Sequence, residues 1–412
     1  MKKLLLVMLF TMFPVLAHGA TYYVAKAGSD SNSCSNAQSQ SKPKLTINAG
    51  VGCLSAGDTL VVKSGVYDEI VNSFPSGSPG NPVTVKSEVQ YGAVLQPSDF
   101  GSTVAIVDFV SVHDIVFDGF VVDGGNQTAA ITVVKVEIGA HDITIKNCEV
   151  KNAIDTHQAS SGQGIWTDYD AYNLLISHNK IHDIGAVDGV NRGGSYGMYY
   201  HAFNSIVEYN EIYHNSGYGI HMYQCCPSAN GGNGNTFRNN LIYDNGRSGM
   251  LFASGGYSNI AYNNIIYSNG ITAGDGDTGI IVGGYGTPST NNKVYNNTIY
   301  NNAGPGIVLG SPYSGPSNTI VQNNILYQNA TDSVMQANDS GSVIDHNLIG
   351  TDPRFVNAVG ADFHLQASSP AIDAGVMMPG LAYTGATPDL GALESGASAQ
   401  LPAPTNLRLV GN

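Results

Sequence analysis

The residues best suited to chemistry lie between Gly164 and Gln224, in three segments of one pattern: GIWTDY (164–169), GMYYHA (197–202) and GIHMYQ (219–224). Each opens with glycine and an apolar residue and then alternates. In an extended strand successive side chains point to opposite faces, so Ile165, Met198 and Ile220 go one way and Trp166, Tyr199 and His221 the other. Asp168, His201 and Tyr223 follow two residues further along that second face. If the segments stack as parallel strands about 4.8 Å apart, these six side chains form one aromatic, imidazole and carboxylate patch on a surface otherwise made of small residues.

Such a patch suits a sugar. Trp166 is the chain's one tryptophan, placed where a sugar ring can stack on it. Arg192, in the loop AVDGVNRGGSYG (186–197), can clamp a carboxylate bidentately, with Arg238 and Arg247 one coil further on. Asp168 and Asp170 can bind a cation or act as a general acid, or Asp170 can simply shape the turn before Tyr172. A plain stacking ladder is the competing explanation. It would be expected to continue, yet the equivalent downstream positions hold Leu251 and Ala253, Ile281 and Gly283, then Val308 and Gly310. Two metal readings are weaker. AGDGDTG (273–279) puts Asp275 and Asp277 in a short oxygen-rich loop that offers a weak calcium ion (Ca2+) site, though a turn explains it as well. His201, His221, Cys225 and Cys226 match no zinc spacing, and a disulfide involving the adjacent cysteines is preferred.

The elements that position the patch are repeats. From residue 113 onward, units such as HDITIKNCEVKNA, NSIVEYNEIYHNSG and NNKVYNNTIYNNAG share one position, occupied by Phe120, Cys148, Asn179, Asn210, Asn240, Asn264, Asn297, Asn324 and Asn347. The intervals run from 23 residues (Asn324 to Asn347) to 33 (Asn264 to Asn297), with strand-type alternation inside each unit, which indicates a β-solenoid. Helical repeats are excluded, because no unit has ten residues of helical periodicity free of Gly and paired Asn. Asn at the shared position tolerates left-handed geometry at a bend, and stacked amides bond from coil to coil. Cys148, in the same slot, is read as an inward, unreactive thiol. Tyr213, Tyr243, Tyr267, Tyr300 and Tyr327 share one register and are read as a structural ladder.

Composition agrees: 50 Gly, 17 Pro and 12% charged residues among 412 point to short strands and turns. Lys2 and Lys3, the apolar run 4–10 and small residues from Ala17 to Ala20 read as a secretory signal; cleavage after Ala17, Gly19 or Ala20 fits equally. The apolar run is too short to span a bilayer. A net charge of −14 repels nucleic acid and anionic membrane, and also a polyuronate unless local cations or a metal offset it. Residues 21–70 read as an entry cap with a short helix over 44–57 covering the first strand edge. Export permits disulfides, and Cys34 is expected to pair with Cys53.

The opening YYVAKAGSDS with AGDTLVVKSGVY, the Asn-rich coils, and the closing DPRFVNAVGADFHLQASSPAIDAG (352–375) with PDLGALE (388–394) resemble the secreted right-handed parallel β-helix proteins, pectate-lyase-like in type. That superfamily includes polysaccharide lyases, alginate C5-epimerases and glycoside hydrolases. The resemblance spans 21–395 and implies an all-β, single-domain solenoid: cap 21–70, coils 113–350, C-terminal cap 351–395. Residues 396–412 are read as a disordered tail. The paired-Asp and Gly-His-Gly pattern of β-helical polygalacturonases and the Asp-Pro-His-Asp motif of alginate epimerases are both missing. Lyase or epimerase action requires neutralising the uronate carboxylate, a base for the C5 proton, and an acid at the leaving oxygen or opposite ring face. In similar proteins a Tyr and His pair commonly fills these roles. Tyr223 is therefore assigned as the shuttle nearest the glycosidic oxygen and His201 as base or charge neutraliser, with Tyr199 and His221 in the next row. Two other readings stand beside it: a glycoside hydrolase drawing two carboxylates from Asp168, Asp170, Asp188, Glu208 and Glu211, and a non-catalytic carbohydrate binder. A monomer acting on polysaccharide, with no required cofactor, is expected.

Overall fold

The computed structural model describes residues 19–100, 105–125, 132–153, 162–185, 195–223, 231–271, 277–283, 287–310, 315–378 and 381–396. Residues 1–18, which hold most of the expected signal segment, Asp188, Arg192, Cys225, Cys226, Asp275 and residues 397–412 lie outside them.

Among the described residues three long sheets run side by side, with 12, 11 and nine strands. Consecutive strands of each sheet come from consecutive coils and pair in parallel, as in Ile206–Glu208 on Leu175–Ser177 in the first sheet, Glu211–Tyr213 on Lys180–His182 in the second and Ile220–Tyr223 on Tyr196–Tyr200 in the third. This is a parallel β-helix. It begins well before residue 113: Thr21–Val24 pairs with Thr59–Val62, and Ala105–Val110 already opens the third sheet. No helix among the described residues is long and apolar enough to cross a membrane.

From Asn179 onward the corners between the first and second sheets are held by an asparagine column. Asn210 donates from Nδ2 to the Ile176 carbonyl (2.9 Å) and to Asn240 Oδ1 (3.0 Å), while its own Oδ1 accepts from the backbone and side chain of Asn179. The same bonds recur along Asn240, Asn264, Asn297, Asn324 and Asn347. A bend removes backbone groups from the sheet ladder, and a fully bonded amide restores their partners away from water. The expected left-handed backbone belongs one residue earlier, to His178, Tyr209, Asn239 and Asn263, with φ between 52° and 58°. The recurring geometry thus uses two adjacent residues, one for the bend and one for the bonds. Asn240→Ala is expected to cost about 2–4 kcal/mol, because the buried Asn210 backbone and side-chain donors lose their acceptor while the Val207 carbonyl and Asn264 Oδ1 lose a donor. Asn347→Ala, on the half-open last coil, should cost less than half of that in the same thermal unfolding measurement.

The glycines that open the third-sheet strands answer to a close approach. A Cβ on Gly197 would lie 2.6 Å from the Gly219 carbonyl oxygen and 2.8 Å from Ile212, and one on Gly219 would lie 2.7 Å from both the Gly249 oxygen and Ile242. The tyrosine ladder is structural, as expected. Tyr213, Tyr243 and Tyr267 stack at 5.1 and 5.0 Å. The closing segment folds back over it, placing Phe355, Phe363 and Leu390 in one cluster with Tyr267 and Tyr300. Cys148 is buried without a disulfide, its thiol pushed up to about 12 by burial. At the N-terminal end Cys34 and Cys53 are disulfide-bonded. The capping helix is shorter than the expected 44–57: only Ile47–Val51 is helical, with a second turn of helix at Cys34–Ala37. The Glu69 carboxylate accepts from the Ile47 and Asn48 amides and fixes its start.

Candidate functional site

The third sheet carries the site. Inward side chains Val134, Ile165, Met198 and Ile220 are fully buried, and the alternation sends their neighbours outward. One outward row runs in register through Asp108, Lys135, Trp166, Tyr199, His221, Leu251 and Ile281. Trp166, Tyr199 and His221 therefore stand on adjacent coils as the sequence predicts. The surroundings do not consist of small residues: the row begins in charged groups and ends in aliphatic ones, Leu251 and Ile281 being buried with Tyr218.

The expected second row is only partly formed. The ladder between the strands ends at Tyr200↔Met222, and His201 lies beyond it. Its ring still joins the patch, 4.3 Å from Tyr199, 5.0 Å from Tyr169, 5.8 Å from Trp166 and 6.4 Å from Tyr223. Tyr223 in turn lies 5.8 Å from His221 and 6.4 Å from Tyr199. Asp168 turns back, its Oδ1 accepting from the Tyr169 amide at 2.8 Å. Burial, with Asp170 and Glu137 nearby, raises its carboxyl above the usual range.

His201 is 2% exposed. Its Nδ1 lies 2.7 Å from the Thr167 carbonyl oxygen. A carbonyl only accepts, so Nδ1 carries the proton and Nε2 keeps the lone pair. Burial holds the imidazole down at about 4. A ring that stays neutral above that pH offers a nitrogen lone pair rather than a positive charge. His221 is held at about 3 by burial, then by His201 and Arg247, and neither of its ring nitrogens has a hydrogen-bond partner among the described residues. Burial, then Tyr223 and Tyr169, push the Tyr199 phenol up to about 12.

Arg238 does not belong to the patch. It sits on the first sheet, where Nε and Nη2 bond Glu208 at 2.7 and 2.6 Å and Nη1 donates to the Tyr262 hydroxyl. Glu208 is on that sheet too, and Glu211 is buried on the second, accepting from Tyr243. Of the carboxylates considered for hydrolysis, Asp168 and Asp170 remain near this face. Arg192 and Asp188 lie outside the described residues, as does Asp275; Asp277 is half-buried on the approach to Ile280–Val282. No cluster of three metal-ligating side chains occurs among the described residues.

Several groups escaped the sequence reading. Tyr196 packs edge-on to His221 at 4.6 Å, and Tyr218 lies 5.1 Å from the same ring. Arg247, which the sequence did place one coil further on, sits 5.7 Å over Tyr218. Lys135 pairs with Glu137 and lies 4.9 Å over Trp166. Asp108, 8% exposed, has its carboxyl raised to about 6 by burial and by Glu137, against the opposing pull of Lys135. AIVDFV and TVVKVE alternate as the later strands do, but lack the opening glycine that marked the others.

The model of the right handed beta helix region matches residues 101–287 and 190–349. The chain belongs to that family. A search of curated proteins finds no match. Among solved structures, the right-handed β-helix here is similar to a pectate lyase, Pel9A, at 17% identity and a TM-score of 0.60, over 91% of this chain and 96% of that one. A GH136 lacto-N-biosidase from Eubacterium ramulus matches at 13% identity and a TM-score of 0.49, over 81% and 68% of the two chains. A rhamnogalacturonan lyase matches at 17% and 0.46, over 81% and 85%. At these identities the likeness is one of fold.

Proposed function

We propose that this β-helix protein is a secreted, carbohydrate-active enzyme, a polysaccharide lyase or C5-epimerase acting on a uronate-containing glycan. The observation that carries the reading is the neutral His201, its Nδ1–H committed to Thr167 and its Nε2 left as an acceptor among Trp166, Tyr169, Tyr199 and Tyr223. In the proposed step Nε2 takes the C5 proton. For elimination the C–H electron pair becomes the C4–C5 double bond, the C4–O bond breaks, and the Tyr223 hydroxyl protonates the leaving oxygen. For epimerisation the proton returns from the Tyr223 side to the opposite ring face. Trp166 offers a sugar-stacking surface, and Arg192 and Arg247 are the cations assigned to the substrate carboxylate.

The protein is taken to act as an exported monomer, and proton transfer between these side chains requires no cofactor. The Asp275 and Asp277 loop remains a separate, weak Ca2+ proposal. Chelation is expected to leave turnover unchanged, measured with and without EDTA. The test of function is incubation with alginate, pectate, hyaluronan and chondroitin. New ultraviolet absorbance from an unsaturated uronate, lost in Tyr223→Phe, supports elimination. Altered proton NMR without new chain ends supports epimerisation. New reducing ends without absorbance would assign hydrolysis instead, and binding without turnover a carbohydrate-binding role. The acid limb of activity should lie near the value of about 4 for His201, because its lone pair is available above it.

A further inference from the structure

The inward column of the third sheet is apolar on both sides of one residue. Phe109 and Val136 precede Thr167 in register, and Tyr200, Met222 and Phe252 occupy the column on the coils that follow. Thr167 is fully buried there. A hydroxyl in such a column is unfavourable unless hydrogen-bonded, and valine, its near-isostere, already fills the site one coil earlier. The threonine is explained by what it holds. Its Oγ1 accepts from the His201 amide at 2.8 Å and the Ala202 amide at 3.0 Å, and its carbonyl accepts from His201 Nδ1. All three donors belong to the next coil, just past the end of its strand, where the ladder no longer fixes the backbone.

We propose that Thr167 is the positioning residue of the site: it holds the 201–202 backbone so that His201 keeps its proton on Nδ1 and presents Nε2 as the bare acceptor. The role of that acceptor in turnover rests on the proposed function; the tautomer does not. Without Oγ1, two buried amides lose their partner, the turn relaxes and the alignment of Nδ1 with the carbonyl is lost.

Two measurements test this. Nitrogen NMR of imidazole-labelled protein, with His201 assigned by the signal missing from His201→Gln, should show a single Nδ1–H tautomer in the wild type and in Thr167→Ser. Thr167→Val should show a mixture. On a turned-over substrate Thr167→Val should lose about a hundredfold in kcat with KM little changed, and Thr167→Ser should restore it. A wild-type His201 protonated on Nε2, or a Thr167→Val protein with the wild-type tautomer and kcat, overturns the proposal. Should Thr167→Val not fold, the tautomers of the wild type and Thr167→Ser still decide. If no polymer is turned over, the functional reading fails and the tautomer alone judges Thr167.

Discussion

His201→Gln is expected to lower kcat on the substrate polymer by about 10²–10⁴-fold while leaving binding nearly intact. Glutamine retains a hydrogen-bonding group of similar reach but cannot take a proton at a nitrogen lone pair. The ring it replaces is 2% exposed and contributes little contact surface to a ligand. Binding can be followed separately, because Trp166 is the one tryptophan and lies 5.8 Å from the His201 ring. Turnover by the glutamine variant close to that of the wild type would remove the base from the proposed chemistry, whatever the variant does to affinity.

The second large effect is on acid stability. His201 at about 4 and His221 at about 3 both lie below the value of about 6.5 for a histidine in an unfolded chain. In the window between, the unfolded chain binds more protons than the folded one, so stability is complete above about pH 6.5 and falls as pH falls. At about 1.4 kcal/mol per tenfold change in proton affinity, the two sites cost on the order of 3–5 kcal/mol each once the pH is below the folded value. His182 on the second sheet works the other way. Burial alone would lower it, but hydrogen bonds to Asp183 and Glu149 outweigh this and raise it. Its contribution is present below about 6.5 and lost as pH rises through the folded value.

His221→Leu isolates one of these terms, since the next coil already holds Leu251 in register. The variant should match the wild type at neutral pH, where removing a buried imidazole with no described partner is nearly neutral or stabilising. At pH 4 it should be the more stable by about 2 kcal/mol or more, as measured by urea unfolding at the two pH values. An unchanged gap between pH 7 and pH 4 would show that His221 is not held neutral.

The sequence by itself determined what depends on short-range repetition: the coil, the asparagine column, the tyrosine ladder, and the outward row of Trp166, Tyr199 and His221. These follow from strand alternation and from corner chemistry that recurs at intervals of 23 to 33 residues. Arg238 was legible too, and was misassigned. It stands two residues before Asn240, as its partner Glu208 stands two before Asn210, a position that belongs to the first sheet. Only the tertiary structure decided the burial of His201, the carbonyl that fixes its proton, and the joining of Asp108, Lys135 and Glu137 to the aromatic row. Those properties are set by backbone and side chains one coil away, about 30 residues distant in the chain, and no local pattern records how deeply a neighbouring coil encloses a ring.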